Sequence, residues 1–183
     1  HQAGRGPERG VAIGIIMDRF WAIPSKYTFE IKPIRELLMQ YIPRGLVIDP
    51  FANRSKIASV TNDLDTGYDT DYHLDATDFF AMFQDASVDM VLYDPPYSAR
   101  QVSECYRKMG YTVNMQTTQN SYWRKHKEQI RRIVKPNGLV LSCGWNSGGI
   151  GKKYGFEPLH IRLVVHGGNH NDTIVVVERR VEN

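Results

Sequence analysis

One tetrapeptide combines residue types that together activate an amine: Asp94, Pro95, Pro96 and Tyr97 are consecutive. The exocyclic amine of a nucleobase is a poor nucleophile because its lone pair is delocalised into the ring, so attack on an electrophilic carbon requires acceptors that draw the nitrogen towards tetrahedral geometry. The Asp94 carboxylate supplies one acceptor, and the Pro95 carbonyl, held extended because Pro96 follows it, supplies another. The Tyr97 ring can stack on the base. The tetrapeptide predicts an amine-activating site, although Asp and Pro also form strand-terminating turns.

The surrounding elements predict an α/β fold with a mainly parallel sheet and an antiparallel C-terminal hairpin. From residue 27 onwards, short apolar runs alternate with amphipathic segments, as in a parallel sheet covered by helices. Helices are predicted to begin at Pro33 and Tyr122, and strands are predicted at 46–48, 58–62, 72–74, 88–93, 139–143, 161–166 and 173–178. The last two strands are too close together for a helical crossover, so we expect them to pair antiparallel at one edge of the sheet. Ligands of such sheets bind beyond the carboxyl ends of the strands, where Asp49, Asp63 and Asp94 all fall.

In these residues the chain resembles the amino-methylating DNA methyltransferases, specifically the adenine-directed group, over most of residues 20–180. The hallmark of that family is a D-P-P-Y loop after the fourth strand, as at residues 94–97. The resemblance implies a Rossmann-like methyltransferase fold, S-adenosylmethionine as the cofactor, and transfer of its methyl group to the exocyclic amine of adenine in DNA. It also implies that the tetrapeptide is catalytic.

Four further segments resemble the cofactor-binding motifs of this family. Residues 49–52 are similar to a D-P-F-x-G-x-G loop that holds the methionine part of the cofactor, but residues 53–55 stand where glycines are usual; Asn53 can still adopt left-handed backbone angles. Asp63, with Asp65 as a competitor, matches an acid that binds the ribose hydroxyls. Residues 74–79 match the segment at the cofactor adenine, and residues 24–29 match the segment over its methionine end. The implied cofactor-binding residues are Lys26, Phe29, Asp49, Pro50, Phe51, Asn53, Asp63, Asp75 and Ala76.

Two cationic segments are candidates for nucleic-acid binding. The loop predicted at residues 98–121 mixes cations with aromatic residues, which suits a flipped nucleotide and its flanking phosphates and equally suits a surface crossover. The predicted helix at 122–134 is strongly basic, a property that solvated helix faces share. The candidate nucleic-acid-binding residues are Arg100, Arg107, Lys108, Trp123, Arg124 and Lys125. DNA is favoured over RNA as the partner, on the strength of the resemblance.

The spacing of the motifs leaves no room for a target-recognition domain between them. Only residues 50–93 separate Asp49 from Asp94. We therefore expect a bare catalytic core, in which sequence recognition comes from surface segments, a partner protein or a second copy of the chain. A length of 183 residues corresponds to one domain. We expect it to cover residues 17–183, with residues 1–16 as an expression remnant or flexible lead-in.

The composition argues against several other classes of protein. Hydrophobic residues make up 42% of the chain and the net charge is +3, which is ordinary for a globular domain. No apolar run approaches the roughly 20 residues of a membrane span, so we expect no membrane partner. The two isolated cysteines predict reduced thiols and a cytoplasmic setting. His166, His170 and Asp172 fit a polar hairpin turn better than a metal site, because no fourth ligand is evident; we expect no metal.

Two other interpretations remain open at this level. One keeps the chemistry and changes the acceptor to an RNA adenine or to a cytosine amine, since the first residue of the tetrapeptide varies within the family. The other is a non-catalytic cofactor-binding subunit of a larger methyltransferase complex, suggested by the missing recognition domain and the altered cofactor loop.

Overall fold

A computed structural model describes residues 14–112 and 121–182 and contains one seven-stranded sheet. Its strands are β1 (Ile16–Trp21), β2 (Val47–Asp49), β3 (Val60–Thr61), β4 (Val88–Tyr93), β5 (Val134–Gly144), β6 (Phe156–Val165) and β7 (Thr173–Arg180). Their order across the sheet is β1-β6-β7-β5-β4-β2-β3. Only β7 runs against its neighbours β5 and β6; the other pairs are parallel. The predicted fold class, a mainly parallel sheet with an antiparallel C-terminal hairpin, is confirmed.

The helices of the described ranges are α1 (Lys32–Tyr41), α2 (Ala76–Ala81), α3 (Ala99–Lys108) and α4 (Ser121–Ile133), with single 3-10 turns at Thr28–Glu30 and Lys152–Tyr154. Local chemistry explains where they begin. Pro33 lies in the first turn of α1, where its missing N–H costs nothing. The side chain of Asp75 caps α2 and that of Ser98 caps α3, each by accepting a hydrogen bond from a backbone N–H two or three residues later. None of these helices is long and apolar enough to cross a membrane.

Two apolar layers cover opposite faces of the sheet. Successive residues of a strand point to opposite faces, and β4 shows this directly: Met90 and Leu92 belong to one buried cluster, and Val91 to the other. The first cluster contains the apolar face of α1, and the second contains residues of α2 and α4. The sheet is therefore fixed from both sides, and the residues that follow its strands are held by a rigid scaffold.

The structure differs from the sequence prediction in β1. This strand begins within the expected lead-in and pairs in parallel with β6, so the β6–β7 hairpin lies inside the sheet and not at its edge. Five of the six residues of β1 are exposed, so no apolar alternation marks it as a strand. Asp18 joins it to β6, because its carboxylate accepts hydrogen bonds from Arg162 Nε and Nη2 and contacts His160 Nε2, each at 2.8 Å.

Two smaller elements also differ. The strand predicted at 72–74 is a single bridge between Asn62 and Tyr72. The loop predicted at 98–121 contains α3, and its residues 113–120 lie outside the described part of the chain. Residues 1–13 of the expected lead-in also lie outside it.

Candidate active site

A pocket of about 680 Å³ opens at the carboxyl edge of the parallel strands. Most of the residues implied as cofactor-binding or catalytic meet there. Those that line the pocket are Lys26, Pro50, Phe51, Asn53, Asp63, Asp75, Ala76, Asp94, Pro95, Pro96 and Tyr97. Two of the implied residues lie behind its wall: Phe29 is 5% exposed and packs in the core, and Asp49 is fully buried.

Asp49 lies beneath the loop that follows β2. Its Oδ1 accepts a 3.1 Å hydrogen bond from the Phe51 N–H, whereas Oδ2 is buried and has no hydrogen-bond partner within the described residues. Burial raises the pKa of Asp49 well above its usual range, and the nearby Asp94 and Asp63 carboxylates act in the same direction. The loop therefore rests on a buried carboxyl group that has an unused polar atom.

The loop after β2 tolerates the missing glycines. Asn53 adopts a φ of +43°, the left-handed conformation that the sequence allowed for it, and its N–H donates to Asp63 Oδ2 at 2.9 Å. Arg54 is turned towards the segment before α1: its guanidinium donates two hydrogen bonds to Glu30 and lies 3.6 Å from the centroid of the Tyr27 ring. Asn53 and Arg54 therefore link the loop to Asp63 and to the segment before α1.

The two acids that the sequence offers for the expected ribose-binding role differ in their partners. Asp63 Oδ1 accepts from the Asp65 N–H at 2.9 Å, and burial raises the Asp63 pKa above its usual value. Asp65 accepts from the Gly67 N–H and pairs with Lys108 at 3.2 Å; these contacts lower its pKa. Asp65 is thus paired with a cation, while the side-chain partners of Asp63 within the described residues are neutral backbone donors.

Helix α3 forms a further wall that the sequence analysis did not foresee. Asp75 caps α2 through Oδ1 and accepts a hydrogen bond from the Tyr106 hydroxyl through Oδ2. Gln101 Oε1 accepts from the Tyr97 N–H at 2.7 Å. Tyr106 was noted in the sequence only as one aromatic residue of a basic loop, and nothing in its local pattern assigns it to Asp75. The pairing results from the path of the chain between β4 and α4.

The Asp94–Tyr97 turn has its own hydrogen bonds. Asp94 accepts from the hydroxyls of Thr28 and Tyr97, which lower its pKa, but burial outweighs them and raises it above the usual value. The Tyr97 ring packs edge-on against Trp145, with the ring centroids 5.5 Å apart. The acid of the turn is therefore a partly desolvated acceptor that is shared with two hydroxyl donors.

A second pocket, of about 550 Å³, lies on the other side of this turn, and Pro95, Pro96, Tyr97 and Trp145 line both. The second pocket differs in charge: its described lining contains Arg124 and Lys127 and no carboxylate, whereas four aspartates and a glutamate line the first. Its other side-chain contributors include Trp123, Arg124, Lys127, Ser142 and Tyr154. Ser142 Oγ is buried without a partner in the described chain, and burial lowers the pKa of Lys127.

The structure separates the six candidate nucleic-acid-binding residues. Arg124 and Lys125 are exposed on α4, and Arg124 and Trp123 line the second pocket. Arg100 and Arg107 are exposed on α3 and line neither pocket, while Lys108 lines the first pocket and pairs with Asp65. The Trp123 indole N–H donates to the Pro96 carbonyl at 3.1 Å. Trp123 is therefore bonded to the turn itself.

His166, before the hairpin turn, has ordinary side-chain partners. His166 is 7% exposed, and its ring nitrogens contact the Ala22 carbonyl and the Thr173 hydroxyl, each at 2.9 Å. Over residues 14–112 and 121–182, no group of three or more His, Cys, Asp or Glu side chains is placed to hold a metal ion.

The sheet, with its C-terminal strand inserted antiparallel between β5 and β6, is the Rossmann-like fold of S-adenosylmethionine-dependent methyltransferases. One solved structure that shares it is Burkholderia thailandensis 1,6-didemethyltoxoflavin-N1-methyltransferase with bound 1,6-didemethyltoxoflavin and S-adenosylhomocysteine, at 10% identity and a TM-score of 0.53 over 81% of this chain and 76% of that one. Another is TrmN from Thermus thermophilus, at 20% identity and a TM-score of 0.53 over 82% of this chain; the match spans 49% of TrmN. These identities establish likeness of fold alone. No protein-family model matches the chain, and no curated protein is significantly similar to it in sequence.

Proposed function

We propose that this protein transfers a methyl group from S-adenosylmethionine to the exocyclic amine of adenine in DNA. One observation carries the proposal: Pro95, Pro96 and Tyr97 are the common wall of two pockets of different charge, and the adjoining Asp94 lines the first of them. A group-transfer enzyme needs a donor site and an acceptor site that meet at one set of polar atoms, and this turn supplies the polar atoms.

The first pocket fits the donor. Its volume of about 680 Å³ lies within the roughly 300–1,000 Å³ of small-molecule sites. Asp63 would accept hydrogen bonds from the ribose hydroxyls. Asp75 would accept one from the adenine amine after its hydrogen bond with the Tyr106 hydroxyl has broken. The loop after Asp49 and the segment around Lys26 would enclose the methionine end. When bound, S-adenosylmethionine supplies an electrophilic methyl carbon on a sulfonium, so the chemistry requires no metal.

The second pocket fits a nucleotide acceptor. Trp145, 42% exposed, and Tyr154 offer ring faces for stacking a base, and Arg124 and Lys127 offer charges for the flanking phosphates. Where the two pockets meet, Asp94, from the lining of the first pocket, and the Pro95 carbonyl, from the wall that both share, would accept the two N–H groups of the target amine. This leaves the nitrogen lone pair directed at the electrophile, which is the activation that a delocalised amine needs.

A product analysis tests the proposal directly. Adenine- and cytosine-containing DNA and RNA oligonucleotides, single- and double-stranded, are incubated with S-adenosylmethionine, digested to nucleosides and analysed by mass spectrometry. The proposal requires N6-methyladenine in DNA. If the product is instead methylated adenine in RNA, or cytosine methylated on its amine, the assigned acceptor is wrong but the transfer chemistry stands. If the isolated chain binds S-adenosylmethionine by calorimetric titration but methylates none of these, it is a cofactor-binding subunit whose partner supplies the missing function, and the catalytic proposal is rejected.

A further inference from the structure

In the Pro96–Tyr97 peptide of the diproline turn, the N–H side is held locally, because the Tyr97 N–H donates to Gln101 Oε1 at 2.7 Å. Proline fixes φ but leaves ψ free, and it has no backbone N–H to donate. The carbonyl of Pro95 is directed by the proline that follows it. The carbonyl of Pro96 has no such restraint, because Tyr97 follows. The carbonyl side of this peptide takes its hydrogen-bond donor from elsewhere in the protein.

Helix α4 supplies that donor, and it also holds the strand residue just before the turn. Trp123 Nε1 donates to the Pro96 carbonyl at 3.1 Å, and His126 Nδ1 shares a 2.8 Å hydrogen bond with the Tyr93 hydroxyl. Trp123 and His126 are one helical turn apart, as neighbours on one face of a helix are. Their two partners are also three residues apart, so α4 holds the chain on both sides of Asp94.

The surroundings of both side chains suit a structural link better than a ligand contact. His126 is fully buried and packs against the Tyr122 ring, with the ring centroids 4.4 Å apart. Burial lowers the pKa of His126 to about 4, so the imidazole is neutral at physiological pH. Trp123 is half-buried and its N–H is already engaged, whereas the neighbouring Arg124 and Lys125 are exposed.

We infer that Trp123 and His126 are positioning residues of the transfer site, which orient the Asp94–Tyr97 turn from α4 and do not bind nucleic acid. The inference rests on the proposed function. It assigns two tasks to one helix: exposed cations are available for phosphates, and the side chains of Trp123 and His126, which are bonded to Pro96 and Tyr93, set the geometry of the amine acceptors.

The test is Trp123→Phe, which keeps a ring and removes the indole N–H. We expect kcat to fall about tenfold, with the KM for oligonucleotide and the Kd for S-adenosylmethionine within about twofold of wild type. Tyr93→Phe, which removes only the hydroxyl that meets His126, should lower kcat in the same way. Trp21→Phe is the matched control, because Trp21 is 67% exposed on the edge strand β1 and lines neither pocket; it should leave all three constants unchanged.

Hydrogen exchange provides a readout that does not require turnover. In Trp123→Phe, the Tyr97 and Ser98 amides should exchange faster than in wild type and in Trp21→Phe, whereas amides in the middle of β4 should not change. A raised oligonucleotide KM at unchanged kcat would overturn the inference, because it would make Trp123 a nucleic-acid contact. Unchanged exchange at the turn would also overturn it. Absence of methyl transfer by the wild type would reject the proposed function, while the exchange comparison would still decide whether α4 holds the turn.

Discussion

The Tyr97 hydroxyl donates a 2.5 Å hydrogen bond to Asp94 Oδ1, across the turn that carries both residues. The sequence suggested that Asp94 accepts from the substrate amine and that Tyr97 stacks on the base. In the structure the two side chains are first of all partners of each other. The turn is thus closed by a hydrogen bond between its own side chains, and an incoming amine must share the Asp94 carboxylate with the Tyr97 hydroxyl. This relationship makes the protonation state of Asp94 dependent on Tyr97.

Replacing Asp94 by Ala removes the side-chain acceptor for the target amine. We expect methyl transfer to fall by about 10²–10³-fold or more, because a preorganised polar group at the reacting centre is lost. Binding of S-adenosylmethionine, measured by calorimetry, should survive, since Asp63 and Asp75 are untouched. Asp78→Ala removes an exposed acid of α2 that does not line the pocket, and it should behave as wild type. Near-normal activity of the Asp94 variant would reject its assigned role.

Tyr97→Phe keeps the ring and removes only the hydroxyl. The Tyr97 hydroxyl lowers the pKa of Asp94 by stabilising the carboxylate, so its loss should raise that pKa further above the usual value. If amine activation requires ionised Asp94, the acid limb of the kcat profile must move to higher pH. Rates measured across the acid range in both proteins test this. If the acid limb of the kcat profile lies at the same pH in both proteins, the ionisation of Asp94 does not control the rate.

Arg124 and Lys125 are exposed on α4 and available for phosphates. We expect each change to Ala to weaken DNA binding, and to reduce the slope of log K against log salt by about 0.7–0.9, the share of one phosphate contact. Fluorescence anisotropy at several salt concentrations measures both quantities. Arg44→Ala is the charge-matched control. Arg44 is exposed and precedes β2, so it lies at the amino ends of the parallel strands, whereas the pockets open at their carboxyl ends. If the slope of log K against log salt is equal for Arg124→Ala and Arg44→Ala, Arg124 makes no phosphate contact and α4 is not part of the DNA-binding surface.

His126 should make the stability of the fold dependent on pH. Burial lowers its pKa from 6.5 to about 4, so between these values the unfolded chain binds a proton that the folded chain excludes. The contribution of neutral His126 to the free energy of unfolding is therefore complete above about pH 6.5. This contribution is lost as the pH falls towards 4, and the loss is limited to ~3 kcal/mol. Urea unfolding at pH 7.5 and 4.5 measures the change. A His126→Phe variant, which cannot titrate, should lose less stability than wild type over this range; equal losses would contradict the prediction.

Several features follow from the sequence because their causes are local. The apolar run of β4 ends where two prolines remove the backbone donors, so both the strand and the turn are determined within a few residues. The antiparallel pairing of β6 and β7 follows from a linker too short for a crossover. The meeting of Asp63 and Asp94 in one pocket follows from parallel strands, whose carboxyl ends share one edge.

Other features depended on contacts between residues distant in the chain, which no local pattern records. The exposed strand β1 exists because Asp18 meets Arg162 across 144 positions and because β6 offers a free edge. Tyr106 reaches Asp75, and Trp123 reaches Pro96, only after the sheet has brought their helices together. Residue types and strand order therefore determined which carboxylates that follow strands surround the site. Tertiary packing alone decided which of them bond to one another, because a hydrogen bond requires a distance and a direction that sequence spacing does not contain.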